Sequence, residues 1–374
     1  MTIQTEAPGK LMLAGEWACL ELGIPGIVMA IDKKVQVKLE PSEIISVFAP
    51  DLKLEKKEAV FDGEKLQWKS ALREEEKEKL LMAQYAITTA LQYLKAKEKK
   101  IQKFSISTSS EESFVQLPDG STKTLGFGSS GAAVVAIVKA ILSLHETEIK
   151  SKQGVELVFK LACMAHFEAQ GKVGSSVDIA ASTVEGIVLY KRFDPKWLQE
   201  QFNSGKNIAE IADSDWPSLH LDSLEIPPDF QLLIGYTGPD TSTKVMIKKV
   251  HACKEEQKEA YWKTMNEIKQ IVEELVPAMQ NNEKEKIIAQ LQKNRRALQE
   301  LAHISGIELE TSALAKLADI AEQNNAAGKF SGGGGGGVGI GICFDSHTRQ
   351  VIEAEWKKAG IEPVQANIAK KATQ

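Results

Sequence analysis

The chain has 374 residues, of which 43% are hydrophobic and 26% are charged. This composition is typical of a soluble globular protein and excludes collagen-like, mostly disordered and disulfide-scaffold classes. The net charge of -5 and the pI of about 5.9 disfavour a dedicated nucleic-acid-binding protein, because such proteins usually have a basic excess. With roughly 100–200 residues per domain, the length favours two lobes over one compact unit.

The chain gives no sequence signal for secretion or membrane insertion. Residues 1–6 show no basic stretch followed by an apolar segment, so we expect a cytoplasmic protein. The most apolar stretch, 134–144, is interrupted by Lys139 and is shorter than the ~18–20 residues of a membrane span. No Cys-x-x-Cys pair occurs, so reduced, mostly buried thiols are predicted. The cysteines are Cys19, Cys163, Cys253 and Cys343.

A β-sheet is predicted to open the chain. Short apolar runs separated by turn residues indicate strands at 10–13, 27–31, 35–39 and 44–49. Between 70 and 100, apolar residues recur at helical intervals among many Glu and Lys residues, which is typical of an amphipathic helix. The alternation of apolar and polar residues over 101–108 predicts a further, half-exposed strand.

The middle of the chain is predicted to be helical around two glycine-rich segments. An apolar, Ala-rich helix over 132–144 follows the loop 126–131, and a second helix over 155–170 runs into the segment 171–178. A short third helix is predicted from near Asp178 to 186, followed by a strand over 187–190.

The last third of the chain is predicted to be mostly helical. A strand over 230–236 precedes helices over 245–323, with breaks around Pro277, 281–282 and 305–306. A glycine tract, 332–337, leads into a strand over 338–344 and a final helix centred on 351–358. This interleaving predicts an α+β fold with helices against mostly antiparallel sheets. The predicted lobes are 1–225 and 226–374.

The segment Gly126-Phe127-Gly128-Ser129-Ser130-Gly131-Ala132 is the strongest candidate for chemistry. A helix N-terminus has unpaired N–H groups and partial positive charge, so it can bind an anion. Glycines let the backbone approach phosphate closely. Two serines that only cap a core helix are the simpler alternative. The segment lacks the pattern of a Walker A loop or a dinucleotide-binding loop, which leaves a nucleotide-phosphate loop of another kind.

Three motifs resemble those of the GHMP small-molecule kinases, which phosphorylate galactose, homoserine, mevalonate and phosphomevalonate. Residues 7–16, Ala-Pro-Gly-Lys-Leu-Met-Leu-Ala-Gly-Glu, look like the first motif, residues 126–130 like the second and residues 331–336 like the third. They occur in the family's order and extend over nearly the whole chain. The resemblance implies a two-lobed α+β fold. Its N-terminal α/β lobe would have ribosomal-protein-S5-like topology, and its C-terminal lobe would be α+β.

Within the family, the chain is most similar to the phosphomevalonate kinase branch. The matching positions are Lys10, Gly15, Glu16, the aromatic Trp17 where tyrosine is usual, and the blocks 235–244, 294–295 and 307–311. The resemblance implies ATP-dependent phosphorylation of 5-phosphomevalonate to 5-diphosphomevalonate in the mevalonate route to isoprenoids. It also implies Mg²⁺, since ATP phosphates need a counter-cation.

The resemblance assigns roles to single residues. Lys10 is expected to bridge the acceptor and the γ-phosphate of ATP, and Asp178 is expected to face the acceptor. Asp178 could act as a general base, but the acceptor phosphate has a second pKa of about 6 and is largely ionised at neutral pH. An electrostatic role is therefore favoured. The nucleotide phosphates are assigned to Gly126, Gly128, Ser129, Ser130, Gly131 and Ala132, and Ser130 is the candidate Mg²⁺ ligand.

The candidate acceptor-binding residues come from several separate segments. They are Lys10, Trp17, Ser175, Ser176, Ser242, Lys244, Gly333, Gly334 and Gly335, with Lys172 a weaker candidate. A glycine tract is often a flexible linker. This one enters an apolar strand, so a closely packed loop beside the nucleotide phosphates and the acceptor is preferred.

Two glycines depart from the branch that the chain resembles. Gly337 stands where aspartate is usual, and Gly333 stands where alanine is usual. The glycine at 337 looks more like mevalonate kinase. Mevalonate kinase, another GHMP kinase with a different small acceptor, and a catalytically degenerate metabolite-binding homologue stay open as alternatives. The expected partners are ATP and the acceptor, without nucleic acid or membrane, and a homodimer is kept open.

Overall fold

The computed structural model describes residues 2–110, 114–116, 122–171, 174–239 and 243–370. The strands are β1 (Ile3–Ala14), β2 (Pro25–Pro41), β3 (Ile45–Ala49), β4 (Leu54–Phe61), β5 (Leu66–Trp68), β6 (Phe104–Ser109), β7 (Phe114–Gln116), β8 (Thr122–Thr124), β9 (Ile187–Lys191), β10 (His220–Leu224), β11 (Gln231–Tyr236), β12 (Ala327–Phe330), β13 (Val338–Cys343) and β14 (Glu362–Pro363). The α-helices are α1 (Glu74–Ala96), α2 (Ser129–Leu144), α3 (Lys152–Ala169), α4 (Val177–Val184), α5 (Pro195–Asn203), α6 (Ile208–Asp213), α7 (Thr243–Glu256), α8 (Lys258–Gln280), α9 (Lys284–Ser305), α10 (Ser312–Gln323) and α11 (Ser346–Lys358).

The first sheet has eight strands in the order β10-β9-β2-β6-β3-β4-β5, with β1 paired to β2. Its pairs are antiparallel except for the parallel pair of β3 and β6. The predicted strands 27–31 and 35–39 are one strand, so the predicted break between them, which includes Asp32, is wrong. The pairing with β1 shifts register between Pro8 and Gly9, and this bulge accommodates Asp32 and Lys33 without ending the strand.

Helix α2 lies at the centre of the first lobe. Its residues are largely apolar and buried, and it packs against β1 and β2 with α1, α3 and α4 beside it. Because α2 is apolar on most sides, it can be stable only when enclosed in this way. This enclosure places the start of α2 next to β1. The glycine loop, residues 126–131, lies at this end of the helix.

The second sheet is antiparallel, in the order β12-β13-β11-β14. One hydrophobic cluster joins its inner face to β1, β2 and α8, so the two sheets share a core. The end of the described chain returns to the first sheet, where Ala369 N donates to Ala30 O at 2.9 Å. The predicted lobe boundary at 225/226 stays a prediction.

The α+β class with mostly antiparallel sheets is confirmed, but several elements were not predicted. These are β4, β5, β7, β8, β10, β12, β14, α5 and α6. The predicted break at Pro277 is wrong, because Pro277 lies inside the last turn of α8. Proline has no N–H to donate to the carbonyl four residues earlier, but the helix ends only three residues after Pro277. The breaks at 281–282 and 305–306 are confirmed.

The cysteines behave as predicted, since all four are free and buried. Among the helices in the described ranges, we find none with both the length and the apolar character that crossing a membrane demands.

Candidate active site

Lys10 lies close to Asp178, to the glycine loop 126–131 and to the glycine tract 332–337. The backbone N of Lys10 donates to Phe127 O at 2.7 Å, which ties β1 to the glycine loop. A Cβ atom on Gly128 would lie 3.2 Å from Lys10 Cγ and 3.3 Å from Asp178 Cβ. A Cβ atom on Gly332 would lie 3.5 Å from Lys10 Nζ. Residues that are far apart in the sequence therefore surround the Lys10 ammonium.

The glycine loop presents free backbone amides at the start of α2. The N-cap is Gly128, with φ of 76°, and no side chain caps the helix. The serines therefore do not act as caps, and the simpler alternative for this loop is wrong. Ala132 N donates to Gly128 O at 3.1 Å, so the amides without helical partners are those of 129–131. This arrangement suits an anion.

Asp178 lies in the first turn of α4, facing the start of α2. Its Oδ1 accepts a hydrogen bond from Ile179 N at 3.0 Å, and its Oδ2 lies 3.6 Å from Nε2 of the buried His166. A Cβ atom on Gly131 would lie 2.7 Å from the same Oδ2. A glycine is therefore required at 131 for α2 to approach this carboxylate.

The electrostatics at Lys10 reflect both burial and neighbouring carboxylates. Burial lowers the pKa of Lys10, while Asp178 and Glu16 act in the opposite direction. An ammonium group that has lost part of its water shell interacts more strongly with an anion than an exposed one does. The carboxylates favour the charged form of the ammonium, which suits it to pair with phosphate oxygens.

The glycine tract 332–337 is a packed loop, as predicted, and not a linker. Gly335 N donates to Leu309 O at 2.7 Å, and Gly337 N donates to Gly238 O at 3.0 Å. Gly334 has φ of 75°, and a Cβ atom there would overlap the carbonyl oxygen of Leu309. Of the acceptor candidates 333–335, Gly334 and Gly335 are thus held by backbone contacts.

A buried ion pair that sequence reasoning missed supports this site from behind. Lys329 on β12 pairs with Glu16, and both side chains are almost fully enclosed. Asn294 Nδ2 donates to the other Glu16 oxygen at 3.2 Å, and Gly15 N donates to Asn294 Oδ1 at 3.2 Å. Burial lowers the pKa of Lys329, and Glu16 opposes this. Glu16 is therefore occupied by partners within the protein.

The blocks around Arg295 and Leu309 are also scaffold. Arg295 bonds Glu310 at 2.7 Å and Asp319 at 2.7 Å. Burial alone would lower the pKa of Arg295, but these hydrogen bonds raise it overall. Because Leu309 O accepts from the glycine tract, the Arg295–Glu310 pair helps to fix that loop. The residues that match the branch thus connect the first and third motifs.

The remaining candidates for acceptor binding lie in different surroundings. Trp17 is buried, with φ of 63° and an indole N–H that lacks a hydrogen-bond partner. Ser175 O accepts from Tyr190 OH at 2.8 Å, and Ser176 is the N-cap of α4. Ser242 and Lys172 lie outside the described residues. Lys244 falls in α7, but its side chain is not among those described.

Arg192, directly after β9, is a further residue that sequence reasoning missed. Its Nη1 donates to Leu20 O at 3.3 Å, while its buried Nε has no hydrogen-bond partner. No salt bridge to Arg192 occurs within the described ranges. Burial lowers its pKa, with Tyr190 and Cys19 acting in the opposite direction. An arginine one residue beyond a strand gives no sequence signal for this position.

Glu21 lies near Arg192 but forms its hydrogen bonds with other residues. The carboxylate of Glu21 accepts from Lys254 Nζ at 2.7 Å and from Tyr261 OH at 2.7 Å. Glu21 is thus held by other partners, and Arg192 contacts the turn 17–20, which includes the acceptor candidate Trp17. Burial raises the pKa of Cys19, beside Arg192, to about 12, so its thiol is neutral.

Comparisons with known proteins agree with this arrangement. Family models for the N-terminal and C-terminal domains of GHMP kinases match residues 84–186 and 271–362. A phosphomevalonate kinase from Streptomyces is 27% identical over 97% of this chain and 96% of its own length. Mevalonate kinases, among them one from Pyrococcus abyssi, also match.

The structural comparisons extend over the whole fold. The Lin0012 protein from Listeria innocua superposes with a TM-score of 0.88 at 29% identity, covering 99% of this chain and 98% of the other. A Streptococcus pneumoniae phosphomevalonate kinase in complex with phosphomevalonate and AMPPNP has a TM-score of 0.80 at 24% identity, covering 98% and 99%. The two domain models, the two-lobed α+β fold and the three converging motifs lead to one conclusion: this chain belongs to the GHMP kinase family.

Proposed function

We propose that this chain transfers the γ-phosphoryl group of ATP to 5-phosphomevalonate, giving 5-diphosphomevalonate and ADP. The observation that carries the proposal is the convergence of Lys10, Asp178, the free amides at the start of α2 and the glycine tract. The similarity to phosphomevalonate kinases over nearly the full chain supports this acceptor.

The nucleotide phosphates bind at the start of α2. The free amides of 129–131 and the positive end of the helix dipole face them. Ser129 and Ser130 are half-buried in the first turn and add hydroxyl donors. Lys10 approaches from β1 and bridges the γ-phosphate and the acceptor. In phosphoryl transfer, positioning and charge neutralisation account for most of the catalysis.

The reaction forms a bond between an acceptor phosphate oxygen and the γ-phosphorus. The bond from that phosphorus to the β–γ bridging oxygen breaks, and its electrons leave with ADP. The acceptor phosphate is largely ionised at neutral pH, since its second pKa is about 6, so no residue has to remove a proton. Asp178 balances the charge of Lys10 and keeps the ammonium in line with the acceptor.

Mg²⁺ fits this site as a companion of the nucleotide. Within the described part of the chain, no group of three His, Cys, Asp or Glu side chains could hold a metal ion by itself. Mg²⁺ commonly keeps several waters and takes most other ligands from substrate phosphates, so a single protein oxygen suffices. The Ser130 hydroxyl would be that ligand. When bound, Mg²⁺ neutralises charge on the β- and γ-phosphates.

The acceptor needs a cation at its carboxylate end as well as at its phosphate. Lys329 and Lys254 are paired with Glu16 and Glu21 and are therefore not free. Arg192 lies next to the turn of Trp17 and has unused donors. A guanidinium group suits a carboxylate because it can bind both oxygens. We assign the acceptor carboxylate to Arg192.

The proposal is tested by incubating the protein with ATP, Mg²⁺ and either phosphomevalonate or mevalonate, followed by phosphorus NMR. Phosphomevalonate should give the coupled signals of a new diphosphate as well as those of ADP. Gly337 keeps mevalonate as a second candidate, and that acceptor would give a phosphomonoester signal instead. Product formation only with mevalonate, or none with either, would overturn the proposed acceptor.

Arg192→Gln is expected to raise the KM for phosphomevalonate by about 10–100-fold. A hydrogen bond to a charged group contributes about 1.5–3 kcal/mol, which corresponds to this range. The KM for ATP should change less than about threefold, because Arg192 faces the other end of the acceptor. Steady-state kinetics with each substrate varied in turn provide the measurement.

Arg349→Gln is the matched control for this change. Arg349 is partly buried on α11 and pairs along its own helix with Glu353 at 3.0 Å. Its loss should leave both KM values unchanged. An equal rise in both KM values for Arg192→Gln would indicate a general disturbance of the site and contradict the assignment.

A further inference from the structure

Two histidines are buried in the first lobe, and their surroundings differ. His145, at the end of α2, has Nδ1 2.8 Å from Ile141 O, and its Nε2 accepts from Gln102 N at 3.0 Å. His166, in α3, has a buried Nε2 with no hydrogen-bond partner. Buried polar atoms are nearly always bonded in native proteins. An unbonded one therefore requires an explanation.

The Nε2 atom of His166 faces the carboxylate of Asp178. The distance to Asp178 Oδ2 is 3.6 Å, and the exposed fractions of the two side chains are 4% and 18%. A typical N–H···O distance is about 2.9 Å, so an approach of about 0.7 Å would form the bond. Asp178 Oδ1 is already held by Ile179 N. Oδ2 is thus the oxygen that lacks a fixed donor.

The surroundings of Asp178 indicate what would drive this approach. Asp178 follows the segment 174–176 closely, and Ser176, the N-cap of α4, has φ of 58°. Oδ2 also lies against Gly131 at the start of α2, where the nucleotide phosphates are proposed to bind. A nucleotide anion at that point repels the carboxylate towards His166, because like charges at short range destabilise each other.

We propose that His166 is a positioning residue, and that its Nε2–H donates to Asp178 Oδ2 when nucleotide and acceptor are bound. This inference rests on the proposed phosphoryl transfer at Lys10 and Asp178. With Ile179 N on one oxygen and His166 on the other, the carboxylate cannot rotate. Asp178 then keeps one fixed orientation towards Lys10.

The test compares His166→Leu with His166→Gln. Leucine removes the donor and should lower kcat about tenfold, which corresponds to one hydrogen bond to a charged group. Glutamine can place an N–H near the same point and should recover most of the rate. The KM values for ATP and the acceptor should change less than about threefold. If the leucine variant does not fold, His166→Asn takes its place, since asparagine is polar but too short to reach Oδ2.

A double-mutant cycle with Asp178→Asn separates positioning from general damage. In the Asp178→Asn background, His166→Leu should lower kcat by no more than about twofold, because its partner carboxylate is gone. His145→Leu is the matched control and should lower thermal stability while leaving kcat unchanged. Wild-type kcat in His166→Leu, or the same loss in both backgrounds, would overturn the proposal.

The cycle is run with whichever acceptor the phosphorus NMR experiment identifies. A failure of phosphomevalonate as acceptor therefore leaves the coupling between His166 and Asp178 measurable. Conversely, phosphomevalonate turnover with no coupling would refute the role of His166 alone.

Discussion

Replacing Lys10 with methionine is expected to lower kcat by about 10²–10³-fold, the usual effect of removing one preorganised charge from a transition state. The Lys10 ammonium lies between Asp178 and the glycine tract, with Gly128 against its side chain. Methionine keeps the length and apolar stem but cannot neutralise the transferring phosphoryl group. The amides at the start of α2 are unchanged, so ATP should still bind.

Two measurements check this expectation. Steady-state turnover gives kcat, and titration calorimetry with a non-hydrolysable ATP analogue gives the nucleotide Kd, which should rise less than about tenfold. Lys38→Met is the matched control, because Lys38 is an exposed lysine on β2 whose Nζ lies 2.9 Å from Glu40. Wild-type kcat in Lys10→Met would mean that the reacting phosphates bind elsewhere.

Elements with a strong local pattern were predictable from the sequence. The apolar run of α2 and the strand β11 show their structure within a few residues, and both were found. Strand β4, with the sequence LEKKEAVF, was missed because its charged residues hide the alternation of a strand. Strand β12 is only four residues long and includes a lysine, so its local pattern resembles a turn.

Lys329 is an example of a buried residue that local sequence patterns do not predict. A lone lysine in a sequence is ordinarily an exposed residue. Here it is buried because Glu16 neutralises it, and these two residues are 313 positions apart in the chain. The stabilising partner becomes apparent only when the turn after β1 and strand β12 are brought together. Pairing over such distances cannot be predicted from composition or periodicity.

The same reasoning applies to the candidate site. Motif order identified Lys10, the glycine loop and the glycine tract, because each has a short recognisable sequence. His166 and Arg192 belong to no such motif, and their importance lies in unpaired donor atoms next to assigned residues. That property depends on burial and on every neighbouring group. It therefore required the three-dimensional structure.

Replacing Asp178 with asparagine is expected to lower kcat by about 10²-fold, while ATP still binds. Asparagine has nearly the same size, so packing against Gly131 is kept. It carries no charge to balance Lys10, and its amide group can turn an N–H towards the phosphates and the ammonium. Asp222→Asn is the matched control, since Asp222 is exposed on β10 and pairs with His220 at 2.9 Å. Control turnover should equal that of the wild type.

The pH dependence of Asp178→Asn distinguishes the two roles considered for this carboxylate. If Asp178 acts through its charge, the variant's loss in kcat relative to the wild type stays constant from about pH 6 to about pH 9. The acceptor phosphate loses its proton with a pKa of about 6, but this does not supply the negative charge that the variant lacks beside Lys10. If Asp178 removes that proton, solvent takes over the task above about pH 6 and the deficit narrows. The hydrogen bond from Ile179 N to Oδ1 and the nearby Lys10 favour a carboxylate held in one orientation. We therefore expect the constant deficit, and recovery of the variant at high pH would assign Asp178 as the base.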